Sequence, residues 1–273
     1  MELVVPHLIT VQSRVASCLP PSGCGGGSAT VQVAGREGEA LMGVSHVFTG
    51  RNGSAGRSAM TPSLSPTRWS KSYQVEKSSG LSAAVQALEL ALQAKDPSTM
   101  AHSGRVRRFA VAMARELGQS TLVAQEIALA AELHDIGKIG VPDELLHKAG
   151  PLNAEECCRV LEHTIIGARI LDPLLGNHPL VIAVVRWHHE WADGTGYPDG
   201  LRAEQVPLAA RIVGVADAFD AMTSERPYRA AFTPKAAARE LVRCSGTQFD
   251  RRCVQALLAV VPHDEAVTLP APA

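Results

Sequence analysis

The sequence predicts an all-α bundle over residues 79–262. Three observations carry that expectation. Apolar residues recur at helical spacing from about Leu81 onward, with no period-two alternation to mark a strand. Helix start and stop residues stand where the periodic runs begin and end. Residues 1–78 are different: PPSGCGGGSA, TGRNGSAGRSA and TPSLSPTRWSKS are rich in Gly, Ser and Pro. Such a composition buries too little apolar surface to offset the entropy of ordering it.

The elements follow in order. Val85, Leu88 and Leu92 make one face of a first helix. The next carries His102, Val106, Phe109, Met113 and Leu117 on a single stripe, with Gly118 as a stop beyond its end. Ser120 caps a third, whose stripe Val123, Ile127, Ala130 and His134 runs into a His-Asp pair. Asn153 with Glu156 forms a capping box, and that helix presents Val160, His163, Gly167 and Ile170 on one side. Pro179 and Pro207 suit the first turns of two more helices, one carrying Val181, Val184 and His188, the other Val213 and Asp217. Thr233-Pro234 and Asp250 open two short C-terminal helices, and residues 263–273 read as a frayed tail. Within residues 1–78 a fragment of strand near 29–34 is the sole expected element. A start at Met42 or Met60 is an alternative reading of that stretch.

Composition excludes several function classes. A net charge of −1 gives no global attraction to nucleic acid or to an anionic membrane, so a phosphate ligand must be held by local charges. The chain is 46% hydrophobic but 4% aromatic, so packing must rest on Ala, Leu, Val and Ile. Cys18, Cys24, Cys157, Cys158, Cys244 and Cys253 form no CxxC motif and read as reduced thiols. No apolar run reaches the roughly 20 residues that span a bilayer, and the N-terminus lacks a charged region before an apolar one. A cytoplasmic location without membrane insertion is the expectation.

The chemistry lies in where the polar residues fall. His102, His134, His163, His188 and Asp217 each occupy the apolar stripe of their own helix. Burying them apart would cost about 1–3 kcal/mol for each unsatisfied group, whereas burying them around a cation removes that cost. Asp135 and His189 stand one residue beyond an inward histidine. Seven candidate ligands exceed the needs of one ion, and two ions about 3.5–4 Å apart fit better, with Asp135 the natural bridge. The mixed nitrogen and oxygen set suits iron, manganese, zinc or cobalt. Two such ions would activate a water for attack on phosphorus. Lys138, three residues past Asp135, supplies a point charge for phosphate oxygens, with Gly137 and Gly140 expected to open space around it.

HDIGKIGVPDELLHKAGPL, HTIIGARIL, HHEWADGTGYPDGL, VPLAARIVGVADAFDAMTSERPYR and GTQFD, together with AHSGRV at His102, resemble the HD-GYP domain. This is a subclass of the HD phosphohydrolase superfamily that degrades cyclic di-GMP in bacteria. The resemblance runs from about Ser82 to Val261. It implies an HD-type helical bundle and assigns His102, His134, Asp135, His163, His188, His189 and Asp217 to the metal set. Asp135 and Lys138 would be catalytic, with Lys138 on substrate phosphate. Arg226 and Arg229 would contact phosphates, and Gly196, Tyr197 and Pro198 would form a loop beside substrate that also meets partners such as diguanylate cyclase (GGDEF) domains. Iron or manganese is the first expectation for the two ions.

Two departures stand out. Ser98 occupies the position, four residues before His102, where some relatives carry Glu for a third metal ion, so two ions are expected. Trp191-Ala192 replaces the usual Arg-Trp and alters the rim of the site. The resulting expectation is a metal-dependent phosphodiesterase that hydrolyses cyclic di-GMP to linear pGpG, with or without further cleavage to GMP. Its rivals are hydrolysis of another cyclic or polyphosphorylated nucleotide, and a catalytically idle binding domain. His7, His46, His147, His178 and His263 read as surface residues, Asp220 and Glu190 as partners that orient ligating imidazoles, and Arg211 as structural.

Overall fold

The computed structural model describes residues 79–225 and 230–261. The expectations for residues 1–78 and 263–273, and the positions of Arg226 and Arg229, lie outside the described residues. Among the described residues ten α-helices run in order: α1 (Ser79–Lys95), α2 (Pro97–Glu116), α3 (Thr121–Leu133), α4 (Asp143–Leu146), α5 (Ala154–Leu161), α6 (His163–Leu175), α7 (Pro179–Trp187), α8 (Leu208–Thr223), α9 (Pro234–Arg243) and α10 (Arg251–Val260). A 3-10 turn, Ile136–Gly140, joins α3 to α4. No strand occurs among the described residues; the one β-type contact is an isolated bridge between Ser245 and Phe249.

Local chemistry sets most boundaries. The Asp96 carboxylate accepts from the Ser98 N–H at 3.0 Å at the start of α2, where Pro97 needs no partner. Ser120, Thr233 and Asp250 cap α3, α9 and α10 in the same way. Asn153 and Glu156 form the reciprocal box at α5, with bonds of 2.9 and 2.8 Å. Gly118, at φ +69°, ends α2 in the left-handed region that a side chain disfavours. Pro207 caps α8 from outside, one residue earlier than a first-turn position.

One boundary departs from the sequence pattern. The stripe from Val160 to Ile170 is not a single helix: the chain breaks at Glu162, and His163 opens α6. The break lets α5 turn away while α6 keeps its His163 end at the centre. There α2 packs on α3, α8 and α10, α3 packs on α7, and α6 packs on α7 and on the 3-10 turn. Val106, Met113, Ile127, Leu133, Leu171, Leu175, Ile212 and Leu257 are under 2% exposed. Each contributes about 1.5–3 kcal/mol of apolar burial. Phe109 and Phe219 meet edge-on at 5.2 Å, tying α2 to α8. These two helices carry His102 and Asp217, so the packing that stabilises the bundle also brings those side chains together.

Candidate metal centre

His134 is the C-cap of α3 and is fully buried, and Asp135 follows it at the head of the 3-10 turn. His163 begins α6, His188 caps the end of α7, and His189 comes next in the loop. Helix ends from three directions therefore meet His102 from α2 and Asp217 from α8. The cluster is continuous. Ring centroids lie 5.3 Å apart for His102–His134, 5.1 Å for His134–His188, 5.6 Å for His163–His188 and 4.0 Å for His188–His189. Potential ligand atoms lie within 4.8 Å of one another in three groups. These are His102–His134–Asp217, His163–His188–His189 and His134–Asp135–His188.

Asp135 sits between the imidazoles. Its Oδ2 lies 3.4 Å from His134 Nε2 and 3.9 Å from His102 Nε2, and its Oδ1 lies 3.6 Å from His163 Nε2. Lys138 reaches back along the 3-10 turn to place Nζ 2.6 Å from Asp135 Oδ2. Burial opposes the charge on both groups, but each holds the other ionised: the Asp135 carboxyl is well below its ordinary value, and the Lys138 ammonium is raised.

The hydrogen bonding of the imidazoles fits a metal ion. Nδ1 of His134 and of His163 each lies 2.8 Å from a backbone carbonyl, and Nδ1 of His188 lies 3.0 Å from the Val185 carbonyl. A carbonyl only accepts, so Nδ1 carries the proton and Nε2 is a bare lone pair. All three Nε2 atoms are buried without a hydrogen-bond partner. An unmet buried group costs about 1–3 kcal/mol, and these three converge on one carboxylate. A divalent transition ion fits that donor set. Burial together with neighbouring imidazoles pushes His188 well down, and burial with His163 takes His189 to about 3, so both are neutral donors at physiological pH.

His102 differs. Burial lowers its affinity for a proton, yet Asp217 at 3.1 Å and Asp220 at 2.7 Å raise its pKa to about 9. Asp220 in turn takes two bonds from Arg105, at 2.5 and 3.0 Å. Arg105 had no distinguishing signal in the sequence beyond its place one turn after His102.

The Gly196–Pro198 loop closes one side. Tyr197 is 6% exposed, and its ring stacks on His189 at 4.8 Å and 25°. Its ring thus faces the cluster, leaving Thr195, Asp199 and Gly200 as the exposed residues of this loop. A Cβ on Gly196 would come within 2.2 Å of the Trp191 nitrogen, so the tight loop requires glycine. Glu190 does not orient an imidazole. Its two oxygens accept the Asp199 N–H at 2.6 Å and the Leu201 N–H at 2.9 Å, pinning the loop. The GTQFD stretch supports it from below: the carbonyls of Gln248 and Thr247 accept from Ala192 and Asp193. Trp191 leaves its indole N–H buried and without a partner.

Other expectations resolve as follows. Gly137 and Gly140 do not open space for Lys138. A Cβ on Gly137 would lie 1.8 Å from the His163 carbonyl oxygen, and one on Gly140 would lie 2.9 Å from the Ile166 side chain. The glycines allow the 3-10 turn to lie against α6, which sets Asp135 beside His163. His178 is buried, not superficial, with Nδ1 3.3 Å from a Glu126 oxygen. Arg211 is structural and ties α8 to the Asp250 cap at 2.6 Å. The Ser98 hydroxyl is engaged with Asp96 at 2.6 Å. Among the described residues Cys157, Cys158, Cys244 and Cys253 form no disulfide. No helix among the described residues is long and apolar enough to cross a membrane.

The family model described as HD domain matches residues 86–253, the span that holds every residue of the cluster. The chain belongs to the HD domain family. This HD domain is 44% identical over 172 residues to the cyclic di-GMP phosphodiesterase response regulator RpfG of Xanthomonas campestris, covering 63% of this chain and 46% of that protein. It is 34% identical to the 3′3′-cGAMP-specific phosphodiesterase 2 of Vibrio cholerae, covering 62% of this chain and 32% of that protein. The chain therefore spans about half or less of the length of these relatives. Bd1817, a HDG"Y"P protein from Bdellovibrio bacteriovorus, matches at a TM-score of 0.50 and 24% identity, over 65% of this chain and 60% of that one. That likeness bears on the fold alone.

Proposed function

We propose that this HD domain is a metal-dependent phosphodiesterase that opens a cyclic dinucleotide, cyclic di-GMP first, to the linear pGpG. The observation that carries the reading is the set of three buried Nε2 lone pairs, on His134, His163 and His188, converging on Asp135 without a protein partner. In this reading His102, His134, Asp135, His163, His188, His189 and Asp217 hold two divalent ions, iron or manganese. When bound, such ions supply an activated water and neutralise charge on the phosphate.

The chain's own groups do the rest. Asp135, ionised and shared between both ends of the cluster, draws the two halves of the site together. Lys138 is charged and only a quarter exposed, so its Nζ can hold a non-bridging phosphate oxygen in a poorly screened setting. The Tyr197 ring, stacked on His189, walls the site and excludes water from that side. Arg226 and Arg229 follow the end of α8, and the resemblance assigns them to the phosphates.

The relative specific for 3′3′-cGAMP favours a second substrate from the same class, and the chemistry at phosphorus is common to both. The test is a panel. The full chain, purified anaerobically, is assayed for metal content and for hydrolysis of cyclic di-GMP, 3′3′-cGAMP and a linear dinucleotide. Cyclic di-GMP turnover that is lost with bound metal in Asp135→Asn supports the reading. Full turnover in Asp135→Asn, or a chain without metal that hydrolyses none of the panel, overturns it.

A further inference from the structure

His102 is held differently from three other imidazoles of the cluster. His134, His163 and His188 bond through Nδ1 to neutral backbone carbonyls. His102 gives its Nδ1 proton to a carboxylate, Asp220 Oδ2, at 2.7 Å. Asp220 is 1% exposed and lies three residues after Asp217 on α8. Arg105 Nε donates to its Oδ1 at 2.5 Å and Arg105 Nη2 to its Oδ2 at 3.0 Å, and the Ser224 hydroxyl lies 3.2 Å from Oδ2. Arg105 Nη2 also donates to Ser224 at 2.9 Å. The two helices that bring His102 and Asp217 together therefore also supply the clamp behind His102.

A carbonyl fixes the tautomer of an imidazole. A carboxylate fixes it and also makes the opposite nitrogen a stronger donor. Net charge acts in the same direction. The His102–His134–Asp217 group contains a carboxylate, whereas the His163–His188–His189 group consists of imidazoles alone. Arg105 offsets the charge of Asp220, which therefore acts through its hydrogen bond to His102. Asp135 does not discriminate, because it faces His134 with one oxygen and His163 with the other.

We infer that Asp220, locked by Arg105, is the positioning residue for His102 and makes the His102–His134–Asp217 group the tighter of two ion sites, filled first. The inference rests on the metal reading proposed above. It adds an order of loading and assigns that order to two residues outside the candidate ligand groups.

The test is manganese binding to the full chain, stripped with chelator and titrated under calorimetry and electron paramagnetic resonance, so that no turnover is needed. The wild-type chain should take up two ions in two steps. Asp220→Asn should weaken the first step about 10- to 100-fold and leave the second, and Arg105→Gln should weaken the same step by less. Asp217→Ala should abolish the tight step, and His163→Ala only the weak one. Arg105 is partly exposed, so Arg105→Gln decides the matter if Asp220→Asn does not fold. Two ions bound in one indistinguishable step, a tight step unmoved by both clamp variants, or its loss in His163→Ala would each refute the order while leaving the metal centre intact. A wild-type chain that takes up no manganese overturns the metal reading and the order with it.

Discussion

Gly137→Ala adds one methyl group at the point where the 3-10 turn crosses α6. The new Cβ would stand 1.8 Å from the His163 carbonyl oxygen and 2.5 Å from the Gly167 nitrogen, whereas real Cβ atoms stay beyond 3.0 Å. Both obstacles are backbone and cannot rotate away. The turn must therefore retreat from α6 by at least 1.2 Å, the difference between those two distances. Asp135 and Lys138 flank Gly137 and move with it, while His163 stays on α6. A metal centre tolerates about 0.2 Å in its ligand distances, and a misplacement of about 1 Å costs on the order of 100-fold in rate. Turnover should fall by about that factor, with ion uptake weakened. Overpacking should cost about 1–3 kcal/mol, or roughly 2–4 °C in Tm for each kcal/mol. Gly104→Ala is the matched control: it lies on α2 with nothing within 4 Å of the new methyl group. It should raise Tm by the equivalent of about 0.5–1 kcal/mol, since alanine favours a helix interior over glycine. The assays are thermal unfolding by circular dichroism, metal analysis and hydrolysis of cyclic di-GMP. Wild-type ion uptake and turnover in Gly137→Ala would refute the claim that this crossing sets the position of Asp135.

Glu190→Ala leaves the Asp199 and Leu201 N–H groups without their acceptor, at about 1–3 kcal/mol each where buried. Amide exchange at those two residues should accelerate and KM should rise, with Glu190→Gln milder because one oxygen remains; unchanged exchange would count against the pinning role. Burial pushes the Asp250 carboxyl up, but the Cys253 N–H, Arg211 and the Arg252 N–H outweigh it and hold it below its ordinary value. Its stabilising contribution is therefore complete above about pH 4 and is lost as pH falls through the lowered value. Asp250→Asn should be less stable at neutral pH and show a flatter decline in acid, measured by denaturant unfolding across pH; an acid limb as steep as wild type would exclude Asp250 as a source of it. Ser98→Glu places a carboxylate one turn before His102. On the proposed two-ion reading, bound metal should rise toward three by elemental analysis, and a wild-type chain that already holds three would refute the role given to Ser98.

Where a helix begins is decided within a few residues, by an oxygen able to reach an N–H two or three positions along. Ser120, Asn153, Thr233 and Asp250 could therefore be read directly, as could the polar residues on the apolar stripes, since helical period alone puts them inside. The all-α class and the inward placement of His102, His134, His163, His188 and Asp217 follow from that short-range chemistry. Three features needed the packed chain. The break at Glu162 interrupts a stripe that keeps its period, because α5 and α6 pack against different neighbours. Gly137 looked like open space and proved to be a contact, since its neighbours are backbone atoms of His163 and Gly167 on another helix. The bond between Arg105 and Asp220 joins residues 115 positions apart. Sequence spacing says which way a side chain points from its own helix, but which group it meets depends on how the helices pack. In this protein the crossing of α2 and α8 makes that choice.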